Sequence, residues 1–412
     1  MNNPFRSQHN QAIYTKLTLA AFALLASLAA VAITWACGVW LSQELRLQAA
    51  WPSYESLQQN LHLPASWWRW VLGDISEFAF YKHEFASIGL VAGGGLAYWA
   101  ARRGKRWAGF SISYGTGLWP WLLTSSLLSL VLSNLLWGWT LSEQNWQPTF
   151  VAFVSLPAAM VLVFGRGWRV TLTAALLGAL LVTPAALLIV NYLCLPLGLP
   201  LVVGNVLGMA AASVLAFLLC RGWPNLMRPD APVQTTPPVA LSIAPEVPDY
   251  GVFWTIRRIL ADFSEAPFFG NELASLGLLL GVGLAFVLNP ESPSYGSGLL
   301  PELLAGQFLT AAIGVLVWRR EWIKRGWYPT YIPLVSVVPA AILIHGGGAL
   351  IIGFSALAGA LIAPPLAMAI AARLPKDMHP FIANVLSMAI STLLIVPLAG
   401  QIAMLPALPY LP

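Results

Sequence analysis

The chain has 412 residues, of which 58% are hydrophobic and only 9% charged, with a net charge of +5. Charged residues make up about a quarter of a soluble globular domain, so these proportions exclude one and point to an all-α polytopic membrane protein. Apolar runs long enough to cross a bilayer as helices recur without the roughly ten-residue alternation of an outer-membrane barrel. The basic residues cluster at the ends of those runs, which argues against a nucleic-acid partner.

Residues 1–16 are polar and basic, and the positive charge ahead of the first apolar run places this N-terminus in the cytoplasm. Residues 17–42 read as a leading transmembrane span, kept in the mature chain because the run exceeds the apolar core of a signal peptide. An external interfacial segment is expected over 43–73, with Trp51, Trp67, Trp68 and Trp70 as anchors at headgroup depth. A first membrane repeat covers 74–221, with spans near 84–101, 114–138, 150–165, 170–194 and 201–220. The proline-rich stretch 222–260 reads as a semi-rigid cytoplasmic linker. A second membrane repeat covers 261–402, with spans near 273–289, 302–318, 332–345, 349–372 and 381–400, and 403–412 is the tail.

The two repeats are copies of one unit. Asp74 to Ala97 recurs without a gap 188 residues later as Asp262 to Ala285, with 13 of 24 positions identical. Further on, Trp146, Pro148 and Thr149 match Trp327, Pro329 and Thr330, Pro184 matches Pro365, and Asn205 matches Asn384. The basic loops do not match. Arg102, Arg103, Lys105 and Arg106 follow the first span of the first copy, whereas Arg319, Arg320, Lys324 and Arg325 follow the second span of the second. An odd number of spans per copy inserts the second copy upside down and moves its positive loops in this way. The expected architecture is therefore about eleven spans, one leading span plus two inverted five-span repeats, with an external C-terminus. Some spans should be broken or re-entrant, around Pro157, Pro184, Pro339, Pro364 and Pro365.

An acid kept at equivalent places in two inverted copies points to a site on the axis that relates them. Glu84 and Glu272 are the leading candidates, each followed one helical turn on by a serine, Ser87 or Ser275. The competing reading places each glutamate at the start of its helix, where the dipole favours an anion. Asn205 and Asn384 form a second matched pair, fit to bond a broken helix or to line a solute path. Asp74, Glu77, Asp262 and Glu265 read as interfacial acids or caps, and Thr149 and Thr330 as helix caps. His83 aligns with Asn271, so its role differs between copies.

Cys37, Cys194 and Cys220 read as small buried hydrophobes, and neither a metal-ligand spacing nor a cofactor or enzyme signature occurs. The expected function is a carrier in the cytoplasmic (inner) membrane for a small polar solute or ion, working by alternating access and coupled through Glu84 and Glu272 to H⁺ or Na⁺. The alternatives are a passive channel of the same architecture, or a non-transporting subunit or assembly factor docking a partner protein or a second copy through its tryptophans or linker.

Overall fold

The computed structural model describes residues 50–142, 145–227 and 250–403, and all regular secondary structure among them is helical. The expected N-terminal segment and leading span, most of the linker, nearly all of the tail and Cys37 lie outside the described residues. Among the described residues six helices are long and apolar enough to cross a membrane, which supports an integral membrane protein.

In the first copy, α1 (Tyr54–Gln59) and α2 (Pro64–Asp74) precede α3 (Glu84–Arg102) and α4 (Trp119–Trp137). A nine-residue α5 (Leu156–Phe164) follows, then α6 (Trp168–Leu197), which contains two π-helical turns, and α7 (Leu201–Gly222). The second copy runs through α8 (Val252–Ala261), α9 (Glu272–Leu288), α10 (Leu300–Val317) and a short α11 (Arg319–Arg325). It ends with a nine-residue α12 (Val337–His345), α13 (Ala349–Ala371) and α14 (Phe381–Ala403). α5 and α12 fall where full spans near 150–165 and 332–345 are expected. At about 1.5 Å per residue each alone reaches less than half of a ~30 Å hydrocarbon core, and both are shielded by neighbouring helices over most of their length.

Each copy begins one helix earlier than the sequence suggests. Residues 252–260, expected to be linker, fold together with Ala261 as α8, because VFWTIRRILA gathers its apolar residues on one helical face. Its counterpart α2 likewise folds within the expected interfacial segment. Trp68 there is exposed, but Trp70 is fully buried, so Trp70 is no interfacial anchor.

The contact between α3 and α9 sets the arrangement of the two copies. A Cβ on Gly89 would fall on the Gly277 carbonyl oxygen, and one on Gly277 on the Gly89 carbonyl oxygen. Likewise a Cβ on Gly93 would strike Leu273 and one on Gly281 would strike Phe85. As the position rises along α3, its partner's number falls along α9, so the two helices run antiparallel. Gly93 and Gly281 are equivalent under the 188-residue offset, as are Phe85 and Leu273, so exchanging the copies reproduces the contact. The matched helices α7 and α14 also pack directly on one another.

Because no side chain fits between these backbones, Gly89→Ala is expected to lower stability by about 1–3 kcal/mol through overpacking. Gly283→Ala on the same pair of helices meets nothing within 4 Å and should instead stabilise by about 0.5–1 kcal/mol through helix propensity. Melting temperatures of the detergent-purified variants separate the two effects, and similar shifts in both would refute the close backbone approach.

Candidate binding cavity

A cavity of about 650 Å³ opens between the two copies. Its wall uses equivalent residues in pairs: Phe80 with Phe268, Phe150 with Tyr331, Val154 with Val335, Val206 with Val385 and Met209 with Met388. Most of the lining is aromatic or aliphatic. Its polar groups come from Tyr54, Gln58, Glu77, Trp146, Asn205, Tyr295 and Tyr331.

The acids expected at an interface are buried instead, in two matched clusters. In the first, Lys82 Nζ donates to Asp74 and, at 2.6 Å, to Glu77. Asp74 Oδ2 also accepts from Thr149 Oγ1 and from Asn134 Nδ2, each at 2.8 Å. Trp146 Nε1 donates to Glu77 Oε1 at 2.5 Å and the Tyr295 hydroxyl donates to the same oxygen at 3.2 Å. In the second, the Arg258 guanidinium donates to Asp262 at 2.9 Å and to Glu265 at 2.7 Å. Thr330 Oγ1 donates to Asp262 Oδ2 at 2.7 Å, and Trp327 Nε1 to Glu265 Oε1 at 2.7 Å. Thr149 and Thr330 are therefore ligands of the aspartates, and neither supplies a helix-capping hydrogen bond.

Burial of a carboxylate is tolerable only with a counter-charge and a full set of donors. Each copy supplies both, but takes its cation from a different place. Lys82 aligns with Gly270, and Arg258 aligns with Trp70. Lys82 lies against the Trp70 ring, 3.8 Å from its centroid, whereas Arg258 lies 4.7 Å from that of Trp322. Gly270 leaves open the space that a Cβ would fill beside Glu265 Oε2. Both clusters hold two carboxylates and one cation.

A second matched motif went unread in the sequence: S-x-S-Y-G-x-G-L-x-P occurs at 111–120 and again at 292–301. In each copy four of its residues take positive φ, namely Ser113, Tyr114, Gly115 and Gly117, and Ser294, Tyr295, Gly296 and Gly298. Serine and tyrosine hold such angles only where their surroundings enforce them. Here the opposite copy does so, since Ser113 Oγ donates to Phe268 O at 2.9 Å and Ser294 N to Tyr81 O at 2.8 Å. The turn thereby delivers the Tyr295 hydroxyl across the interface to Glu77. Tyr114 stands in the equivalent place, edge-on to Trp327 beside Glu265.

The leading candidates Glu84 and Glu272 lie close to the starts of α3 and α9, each held by an arginine at 2.6 Å, Arg69 or Arg257. Trp51 Nε1 also donates to Glu84 at 2.9 Å, and Phe110 N to Glu272 at 2.6 Å. His83 and Asn271 are the capping residues: the Phe85 amide donates to His83 Nδ1, and the Leu273 amide to Asn271 Oδ1. Ser87 and Ser275 donate back to the carbonyls of His83 and Asn271. Glu84, Glu272, Ser87 and Ser275 all stand away from the cavity lining, but Asn205 is part of it. Asn384 Nδ2 donates to the Tyr331 hydroxyl at 3.0 Å. Phe150 stands in the place of Tyr331 in the first copy and offers no such acceptor, and Asn205 Oδ1 is buried without a partner. His345 bonds the Val396 carbonyl.

Lys82→Gly leaves two buried carboxylates uncompensated and should cost about 3–5 kcal/mol. Adding Trp70→Arg rebuilds the charge placement of the second copy and is expected to recover part of that loss, read as a higher melting temperature than the single variant. A double variant no more stable than Lys82→Gly would refute the interchange of cation positions. No known protein family, curated protein or solved structure matches this chain.

Proposed function

We propose that the chain is a membrane carrier, not an enzyme, formed from two inverted copies, and that its substrate site is the cavity between them. The observation that carries this reading is the pairing of equivalent residues around the cavity wall. Inverted-repeat carriers bind substrate at the repeat interface and alternate access by rocking one copy against the other. The antiparallel, exchange-symmetric packing of α3 on α9 supports the inversion, as does the displaced pattern of basic loops.

The lining changes the expected substrate. A small polar solute would leave most of these aromatic and aliphatic side chains unused, so the favoured substrate has an apolar body and few polar groups. Glu84 and Glu272, each already neutralised by an arginine, are poorly placed to couple transport to H⁺ or Na⁺. Glu77 borders the cavity and is better placed.

The test uses a cysteine-free variant carrying Val206→Cys or Met388→Cys, in sealed vesicles of both orientations. A carrier exposes both positions to a membrane-impermeant thiol reagent from either face. Labelling from one face only, or from neither, would favour a non-transporting subunit.

A further inference from the structure

We infer, resting on the carrier reading, that the cavity takes an organic monocation with an apolar body. Three observations converge on this charge and shape. The first is the charge of the wall. Asp74, Lys82 and Glu77 form a buried cluster in which two carboxylates share one ammonium. Every carboxylate oxygen there accepts at least one hydrogen bond, and the donors are Lys82, Thr149, Asn134, Trp146 and Tyr295. Burial nonetheless pushes the Glu77 carboxyl up to about 8. The cluster holds one carboxylate more than it has cations, and Glu77, the acid that a bound cation would compensate, borders the cavity.

The second observation is the aromatic character of that surface, on which Phe80, Trp146, Phe268 and Tyr295 are all present. Aromatic faces attract weakly hydrated cations and offer an anion nothing comparable. Third, two polar groups of the wall are buried without partners, the Tyr54 hydroxyl and Asn205 Oδ1. Tyr54 is 8% exposed and Asn205 4% exposed, so both point to a ligand that completes their hydrogen bonding. At about 650 Å³ the cavity admits a drug-sized molecule. A metal ion finds no ligand set, because no group of three metal-binding side chains occurs among the described residues.

The second acid cluster strengthens the case. Asp262, Arg258 and Glu265 again pair two carboxylates with one cation, and Ala266 and Phe268, just beyond Glu265, line the cavity. The cavity therefore lies between two clusters that each hold one carboxylate more than they have cations.

The probe is tetraphenylphosphonium, with tetraphenylborate as an anion of the same shape, added to the detergent-purified full chain while the melting temperature is followed. Tetraphenylphosphonium is expected to raise the melting temperature with concentration, as any ligand of the folded state does, and tetraphenylborate is not. Glu77→Gln leaves Lys82 paired with Asp74, so it should fold, and it should weaken the cation by roughly tenfold. Asp74→Asn removes the same charge from outside the cavity wall and should also weaken it, which a purely steric role for Glu77 would not produce. Equal stabilisation by the two ions, or unchanged cation binding in both variants, would overturn the charge assignment. So would stabilisation by neither ion. If Val206→Cys and Met388→Cys still label from both faces, any of these outcomes leaves the carrier reading standing and removes only the substrate class.

Discussion

The approach of α3 and α9 at Gly89 and Gly277 is the constraint on which the rest of the fold depends. In a bilayer no hydrophobic force drives helices together, so contact relies on close packing, which small residues permit. Here two backbones touch with no side chain between them. That contact fixes where the helix starts lie. It thereby places the loops before α3 and α9, which carry the buried acids, on either side of the same interface.

From this geometry the two polar clusters acquire their form. The loops preceding α3 and α9 turn back on α2 and α8, so that Ser76 bonds the backbone of His83 and Ser264 that of Asn271. Phe80 and Phe268 take matching left-handed backbone angles within these turns and present their rings to the cavity. The S-Y-G turns then cross from one copy to the other and tie each loop to the opposite half. A low-dielectric interior makes such networks strong when satisfied and costly when broken, which accounts for the number of donors around each carboxylate.

Much of this was legible in the sequence. Apolar runs located the long helices to within a few residues, and the 24-residue repeat at Asp74 and Asp262 revealed the duplication. The site was less legible, because a carboxylate's burial depends on a partner that alignment does not name. Lys82 and Arg258 occupy non-equivalent positions, so no matched pair announced them, and Asp74, Glu77, Asp262 and Glu265 read as interfacial acids or caps. Glu84 and Glu272 drew attention by their repetition, but the arginines that hold them repeat as well, at Arg69 and Arg257. The Tyr114 and Tyr295 turns were visible as a motif, but their backbone angles depend on the opposite copy.

The different origin of the two buried cations reverses which ion pair is local. Lys82 shares its loop with Glu77 and reaches back to Asp74 at the end of α2. Arg258 lies one helical turn before Asp262 and reaches forward to Glu265 in the following loop. In either copy one pair travels with a single element and the other bolts the loop to the helix before it, so sliding either loop along its helix separates opposite charges in a medium that screens them poorly. Two different side chains thus make the same latch.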